Sequence, residues 1–495
     1  MPKESRYIIS YKTMIEPHFI NGEKKEPQNT KIITKVKNPT TGQELKSVAL
    51  EDLTIVNTCI ENSLSSFKEW SKFPMHKKTQ LLIKWYTWIE TNKEKFIKII
   101  SEENGKPYND AKGEYQRGIE VIQYALSLQS VANGQSSHIN DNLSINSFKE
   151  PIGIVLAICP FNFPFMIPLW FIPISLVLGN VIIVKPSEKV PGCVSLLAEG
   201  ASKVGIPNGV FNVVQGGHKI VEKLIEDENI KAVSFVGSTF IGKKIYDLAT
   251  KYRKRIQCNM GAKNHVVITK SADIDTTVNG IVSSAFGGCG QRCMALSVCI
   301  LIGDNPEFIS KLKEKTSKIN IIEEMGPLIS EESIKRINTA IDSSVGNGSS
   351  ILLDRRLEVP EEGSYLGPVI ILTSPASEVY KQELFGPVLA LINVDNLEQA
   401  INIINKNEYG NGTCIYTNSL DESIKFQDNV DVGQIGINVP IPVPPPYFSW
   451  SSSKESFLGN NYIYGPQSID FYTKTKTIMT RGVNVSKSEL AMPTN

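Results

Sequence analysis

The 495-residue chain lacks a surplus of either charge: 52 lysines and arginines face 51 acids, a formal net charge of +1. A nucleic acid, an anionic membrane or a strongly charged protein partner would favour a one-signed excess, so the expected partner is a small molecule. The eight cysteines (Cys59, Cys159, Cys193, Cys258, Cys289, Cys293, Cys299 and Cys414) form no CxxC pair and no interleaved pattern with histidine. That argues against zinc sites and disulfide scaffolds, so no metal is expected. A reducing compartment fits best, the cytoplasm first and the mitochondrial matrix as the alternative. The N-terminal MPKESRYIISYKTM lacks an apolar core followed by small residues, and Glu4 sets it apart from an acid-poor transit peptide, so no targeting segment is expected there.

A membrane-spanning helix is missing as well. No charged side chain stands between Glu150 and Lys185, a span longer than the roughly 20 residues that cross a bilayer. Pro160, Pro164, Pro168 and Pro173 interrupt it, so it reads as buried strands and a helix start inside a core.

What is present is an alternation of short apolar runs with amphipathic segments: VLAICPF, NVIIVKP, KAVSFVG and HVVITK, each a helix length from the next. This is the pattern of an α/β protein with parallel sheets, and the length allows two or three domains. Polar or glycine-bearing groups follow two of the strands, Lys185 to Glu188 and Gly237-Ser238. Ligands bind at such carboxyl ends in open α/β sheets. Pro440 to Pro446 reads as a proline-rich loop and 483–495 as a loose tail.

The usual GxGxxG fingerprint is absent from these turns. KAVSFVGSTFIGKKIYDLATKY instead has the shape of strand, tight turn and helix, with Ser238 at the N-cap and Gly237 and Gly242 around it. Backbone N–H groups at a helix start suit a pyrophosphate, although the pattern alone equally describes an ordinary βα turn. Lys185 and Glu188 are a cation and a carboxylate suited to ribose hydroxyls; alone, they also make a surface ion pair.

In FGGCGQRCMALS, Gly287, Gly288 and Gly290 let a loop approach a ligand closely. Arg292 adjoins Cys293, and a nearby guanidinium favours the thiolate that attacks carbonyl carbon. The other reading of such a cysteine is a small buried hydrophobe, the role expected of Cys289.

PFNFP (160–164), KPSE (185–188), FVGS (235–238), GQRC (290–293) and ELFGP (383–387) stand in an order and spacing that resembles the aldehyde dehydrogenase superfamily, from about Phe19 to Tyr472. The resemblance implies that Cys293 is the nucleophile and that Asn162, with the backbone N–H of Cys293, forms the oxyanion hole. It implies NAD as cofactor, held by Phe161, Lys185, Glu188, Lys189, Gly237, Ser238, Met260, Glu383 and Phe385. The aldehyde is then oxidised to a thioester on Cys293.

One further absence narrows the function. Ordinary members carry a glutamate at the start of an ELGGK-like motif, the general base for thioester hydrolysis. This chain reads NMGAKN, with Asn259 there, and an amide has no useful basicity near neutral pH. A thiol needs less help, since its pKa of about 8.5 leaves some thiolate, so coenzyme A is the expected acceptor. NMGAKNH, GQRCMALS, PFMIPLW and NVPIPVP together resemble the methylmalonate-semialdehyde dehydrogenase branch. That branch is CoA-acylating and acts on small aldehydes bearing a carboxylate, which implies Arg117 and Arg292 as substrate-binding cations. On a helix Arg117 shares a stripe with Val121, Tyr124 and Leu128, facing a largely apolar side. A carboxylate ligand and an ion pair with Glu114 or Glu120 both fit it.

The expected reaction is NAD-dependent, CoA-acylating oxidation of methylmalonate or malonate semialdehyde with loss of carbon dioxide, giving propionyl-CoA or acetyl-CoA. The alternative is hydrolytic NAD(P)-dependent oxidation of another short acid semialdehyde. GGC at 287–289 replaces the branch's usual GAA, Lys189 stands where arginine is common, and SWSSSKESFLG is poor in glycine. The resemblance further implies a Rossmann-like NAD domain from 1–136 and 150–262, and an α/β catalytic domain from 263–455. A small β oligomerisation element with the tail comes from 137–149 and 456–495, the assembly being a homotetramer or homodimer.

Overall fold

The computed structural model describes residues 14–140 and 142–481; the readings made of the first thirteen residues and of the tail from 482 lie outside the described residues. The β-branched runs Ile154–Ile158 and Val181–Lys185 are buried at every position, as strands covered on both faces must be. They centre an eight-stranded sheet whose order is Glu23–Lys25, His18–Ile20, Phe211–Val213, Val181–Lys185, Ile154–Ile158, Ile230–Val236, Arg255–Asn259 and Phe457–Gly459. The five strands from Phe211–Val213 to Arg255–Asn259 run parallel. Strand order reverses beside Ile154–Ile158, because the chain steps outward on one side to Phe211 and then restarts on the other at Ile230. This switch point opens a crevice at the carboxyl ends of Ile154–Ile158 and Ile230–Val236.

The uncharged stretch before Lys185 contains more helix than its prolines suggest. Met166–Val177 is helical with Pro173 inside it, and every residue from Ile167 to Val177 is buried. Burial on all sides compensates for the backbone hydrogen bond the proline removes.

A second sheet begins directly after the first lobe, in the order Ser350–Asp354, Val369–Leu372, Val388–Val394, Leu296–Ile302, Asn264–Ile268, Gly412–Tyr416 and Gln434–Ile437. All but Ser350–Asp354 run parallel. Each large sheet has its own apolar core. A third sheet is antiparallel: Thr473–Arg481 pairs along its whole length with Leu143–Pro151, which pairs in turn with Ser136–Asn140.

The segment 456–472, expected in the small β element, lies elsewhere. Phe457–Gly459 is the edge strand of the first sheet, antiparallel to Arg255–Asn259. Helix Gly465–Tyr472 buries Ile469, Phe471 and Tyr472 in the first core. Its aromatic and aliphatic side chains lose water there, whereas a solvent-facing ribbon would leave them exposed. Among the described residues no helix is long and apolar enough to cross a membrane.

Candidate active site

The switch-point crevice collects the residues assigned to a dinucleotide. Lys185 ends its strand and pairs with Glu188 at 2.9 Å. Burial raises the Glu188 carboxyl, but Lys185 outweighs this and holds it below the usual carboxylate range. Ser238 is the N-cap of helix Thr239–Lys251, and its side chain makes no capping bond. Gly237 and Gly242 are space requirements: a Cβ at Gly237 would lie 2.5 Å from the Phe235 ring, and one at Gly242 2.5 Å from Met260. Strand and helix therefore meet closely at this turn, the role glycine plays in dinucleotide folds. The Phe161 and Phe385 rings meet edge to face at 5.9 Å, and Lys189 Nζ lies 5.7 Å from the Phe161 centroid.

Glu383 reaches the same region from the second lobe. Its Oε1 accepts from the N–H of Ala262 at 2.8 Å, and burial pushes its carboxyl up to about 7. Lys263 is lowered by burial to about 7, and its Nζ donates to the carbonyls of Val379 and Gln382, each at 2.7 Å. Asn259 ends the neighbouring strand Arg255–Asn259; among the described residues its buried Oδ1 has no hydrogen-bond partner.

Cys293 lies between the short 3-10 turn Gly287–Gly290 and the strand Leu296–Ile302. Two asparagines fix its carbonyl: Asn264 Nδ2 donates at 2.8 Å and Asn411 Nδ2 at 3.0 Å. Trp450 Nε1 and Ser452 Oγ donate in turn to Asn411 Oδ1, at 3.0 and 2.7 Å. Asn162 Nδ2 donates to the carbonyl of Gln291, two residues before Cys293, at 3.0 Å. The amide expected at an oxyanion hole thus lies against the nucleophile loop.

Two expectations for this loop are corrected. Arg292 does not turn to the thiol: its Nη2 is 2.6 Å from Asp110 Oδ1. Burial and then Glu383 push the Cys293 thiol up to about 12, while the N–H groups of Cys293 and Met294 oppose the shift. The glycines, too, make room for the protein itself. A Cβ at Gly287 would lie 2.8 Å from Arg292, and one at Gly290 2.4 Å from the Gly386 carbonyl. Gly290 also has φ +68°, a conformation that favours glycine. Cys289 is buried in the second core, as expected, and holds φ +54°.

Beside the thiol opens a cavity of about 460 Å³, lined by Arg117, Arg292, Cys293, Trp170, Trp450 and Tyr464 among others. The aromatic wall is mutually packed, with Trp170 5.0 Å from Trp450 and 5.7 Å from Tyr464. Arg117 is half-exposed rather than sunk in an apolar face, and its Nη1 lies 2.7 Å from Glu120 Oε2. The ion-pair reading therefore holds in this state, while the side chain still lines the cavity.

Asp110, Lys106, Asn264, Asn411 and Trp450 escaped the sequence reading, and Glu114 entered it only as an ion-pair partner for Arg117, whereas it pairs with Lys106. Asn264 stands within the quoted NMGAKNH and could have been noticed. Trp450 likewise stands within SWSSSKESFLG, and Lys106, Asp110 and Glu114 are spaced four residues apart, but nothing in that spacing points to the nucleophile loop.

Residues 25–478 match the aldehyde dehydrogenase family. The chain is 40% identical over 491 residues to the acylating, mitochondrial methylmalonate-semialdehyde dehydrogenase of Arabidopsis thaliana, covering 97% of this chain and 81% of that protein. It is 39% identical over 477 residues to the malonate-semialdehyde dehydrogenase of Pseudomonas aeruginosa, covering 94% and 96%. A solved structure from Sinorhizobium meliloti 1021 in complex with NAD superposes with a TM-score of 0.92 at 33% identity, covering 96% and 99%.

Proposed function

The chain belongs to the aldehyde dehydrogenase family, and from that premise we propose that it oxidises methylmalonate or malonate semialdehyde with NAD and passes the acyl group to coenzyme A. The observation that carries this reading is a single cavity lined by the Cys293 thiol and two arginines, Arg117 and Arg292. A short aldehyde bearing a carboxylate matches that set, because a guanidinium recognises a carboxylate through directed, charge-assisted hydrogen bonds. The similarity to relatives named for these two semialdehydes supports the substrate class.

The residues at the switch point fit NAD. Lys185 and Glu188 would hold the adenosine ribose, the helix start at Ser238 the pyrophosphate, and Glu383 the nicotinamide ribose, with Phe161, Lys189, Met260 and Phe385 packed around them. NAD, when bound, supplies the acceptor for a hydride.

Cys293 loses its thiol proton to solvent and adds to the aldehyde carbon as the thiolate, and the carbonyl electron pair moves to oxygen. The Asn162 amide and the Cys293 N–H hold that charge. Collapse of the oxyanion expels hydride and leaves a thioester on Cys293. Asn259 cannot take a proton from water, so hydrolysis is slow, whereas a thiol attacks the thioester carbon and returns the Cys293 sulfur as thiolate. A carboxylate β to the carbonyl leaves as carbon dioxide, its electrons passing into an enolate that is then protonated. Propionyl-CoA or acetyl-CoA results.

We assign the protein to a reducing compartment, the cytoplasm or the mitochondrial matrix, in keeping with eight free cysteines. We assign it a homotetrameric or homodimeric state through the sheet built from Ser136–Asn140, Leu143–Pro151 and Thr473–Arg481. Product mass spectrometry with each semialdehyde, with and without CoA, tests the function. An acyl-CoA one carbon shorter than the substrate, formed only with CoA, is expected; full turnover to a free acid without CoA would overturn it.

A further inference from the structure

The loop that carries Asn162 is held from behind by three buried polar side chains. Asn104 Nδ2 donates to the carbonyl of Phe161 at 2.9 Å. Lys106 Nζ donates to the carbonyl of Asn162 at 2.6 Å and to Glu114 Oε2 at 2.5 Å. Glu114 Oε1 accepts from the N–H groups of Phe165 and Met166, at 2.9 and 3.2 Å. Residues 161–166 are therefore fixed at both ends, the far end at the start of helix Met166–Val177. Lys106 Nζ also sits 3.8 Å from the Phe163 ring centroid.

The same support reaches the nucleophile loop. Gly105, between Asn104 and Lys106, has φ +83°, and a Cβ there would lie 2.5 Å from Pro327. Gln291 Nε2 donates to the Pro327 carbonyl at 3.1 Å, and Gln291 Oε1 accepts from the Ile329 N–H at 3.0 Å. The supports of the two halves of the assigned oxyanion hole thus meet where Gly105 approaches Pro327.

Lys106 and Glu114 are only 7% and 3% exposed. A buried ion pair is weak evidence of stabilisation, because desolvation offsets its attraction and apolar pairs of similar size often serve as well. Here each charged group also hydrogen-bonds the backbone around Asn162.

We propose that Lys106 and Glu114 are positioning residues that clamp the Asn162 loop and so set where its amide meets the developing oxyanion. The inference rests on the reading of Cys293 and Asn162 given above. Displacing a donor by about 1 Å is worth on the order of a hundredfold in rate, so the clamp acts on steps that build an oxyanion and not on the thiol itself.

The test uses p-nitrophenyl acetate, whose attack by a thiolate passes through an oxyanion and needs neither semialdehyde nor NAD, beside iodoacetamide, whose displacement builds none. The variant is Lys106→Met combined with Glu114→Gln. It leaves no unpaired buried charge and keeps an acceptor for Phe165 and Met166, while releasing the Asn162 carbonyl and the Phe163 ring from Lys106. Lys106→Met alone strands the Glu114 carboxylate and serves as a comparison if it folds. The p-nitrophenolate burst should slow by roughly tenfold or more, with alkylation within about twofold of wild type. In an Asn162→Ala background the paired change should slow the burst no further, because its route of action is gone. Equal slowing of burst and alkylation, or an undiminished extra loss in the Asn162→Ala background, would overturn the clamp. A wild type with no burst sinks the Cys293 assignment itself; a wild type with a burst that the paired variant matches sinks the clamp alone.

Discussion

Arg292 Nη2 lies 2.6 Å from Asp110 Oδ1, so the guanidinium beside the candidate nucleophile is committed to a carboxylate before any substrate arrives. The second oxygen, Asp110 Oδ2, is buried and has no hydrogen-bond partner among the described residues. Asp110 also lines the cavity. On the proposed reading, an acid semialdehyde entering there would compete with Asp110 for Arg292 and meet its negative charge.

Asp110→Asn should therefore lower KM for malonate semialdehyde by several-fold and leave KM for propanal, which carries no carboxylate, unchanged. Arg292→Ala should raise KM for the acid by roughly ten- to a hundredfold, the range of a hydrogen bond to a charged group. Parallel steady-state kinetics on the two aldehydes check both; equal shifts on acid and neutral substrates would remove Arg292 from carboxylate recognition.

Asn259→Glu returns a carboxylate to the end of the strand Arg255–Asn259. Turnover in the absence of CoA should rise by about a hundredfold or more, the contribution of a positioned general base. Release of free acid, measured by mass spectrometry, is the readout. An unchanged CoA requirement would mean that another feature blocks water.

Burial and Glu383 push the Cys293 thiol up to about 12, so alkylation of the free enzyme should still be climbing with pH at pH 10. Glu383 raises the thiol only while ionised, and its own carboxyl is pushed up by burial to about 7. Glu383→Gln should therefore speed iodoacetamide labelling at pH 9 and change it little at pH 6. The rate–pH curves of the two proteins decide the matter, and superimposable curves would count against the coupling.

His265 is buried, and burial, with Lys263 adding to it, lowers its ring to about 3 from 6.5. The unfolded chain binds this proton near pH 6.5 and the folded chain does not, so stability falls as pH drops from 6.5 towards 3. The slope approaches about 1.4 kcal/mol per pH unit for one group. His265→Gln should flatten the acid limb of the urea-unfolding midpoint against pH. A limb as steep as that of wild type would assign the loss to other groups.

The sequence showed the groups at strand ends because periodicity and punctuation are local. Gly237, Ser238 and Lys185 follow apolar runs directly, and their turns have the compact geometry those residues require. Arg292 was misread for the opposite reason: its nearest sequence neighbour is Cys293, but its partner Asp110 is 182 positions away. Lys106 was invisible because it precedes the helix Tyr108–Val131, where no stripe marks a buried side. The segment after Glu455 was misplaced because three residues, Phe457–Gly459, are too few for a pattern to reveal which sheet they join.

Tyr464, on the aromatic wall of the cavity, immediately precedes the helix Gly465–Tyr472, and that helix runs without a break into Thr473–Arg481. Asn180 rivets the junction, its Nδ2 donating to the Tyr472 carbonyl at 2.9 Å while its Oδ1 accepts from Ile152 and Gly153. The outer ribbon and the pocket wall are thus joined by the eight residues of one short helix, so the sheet edge and the cavity lining are consecutive stretches of the same chain.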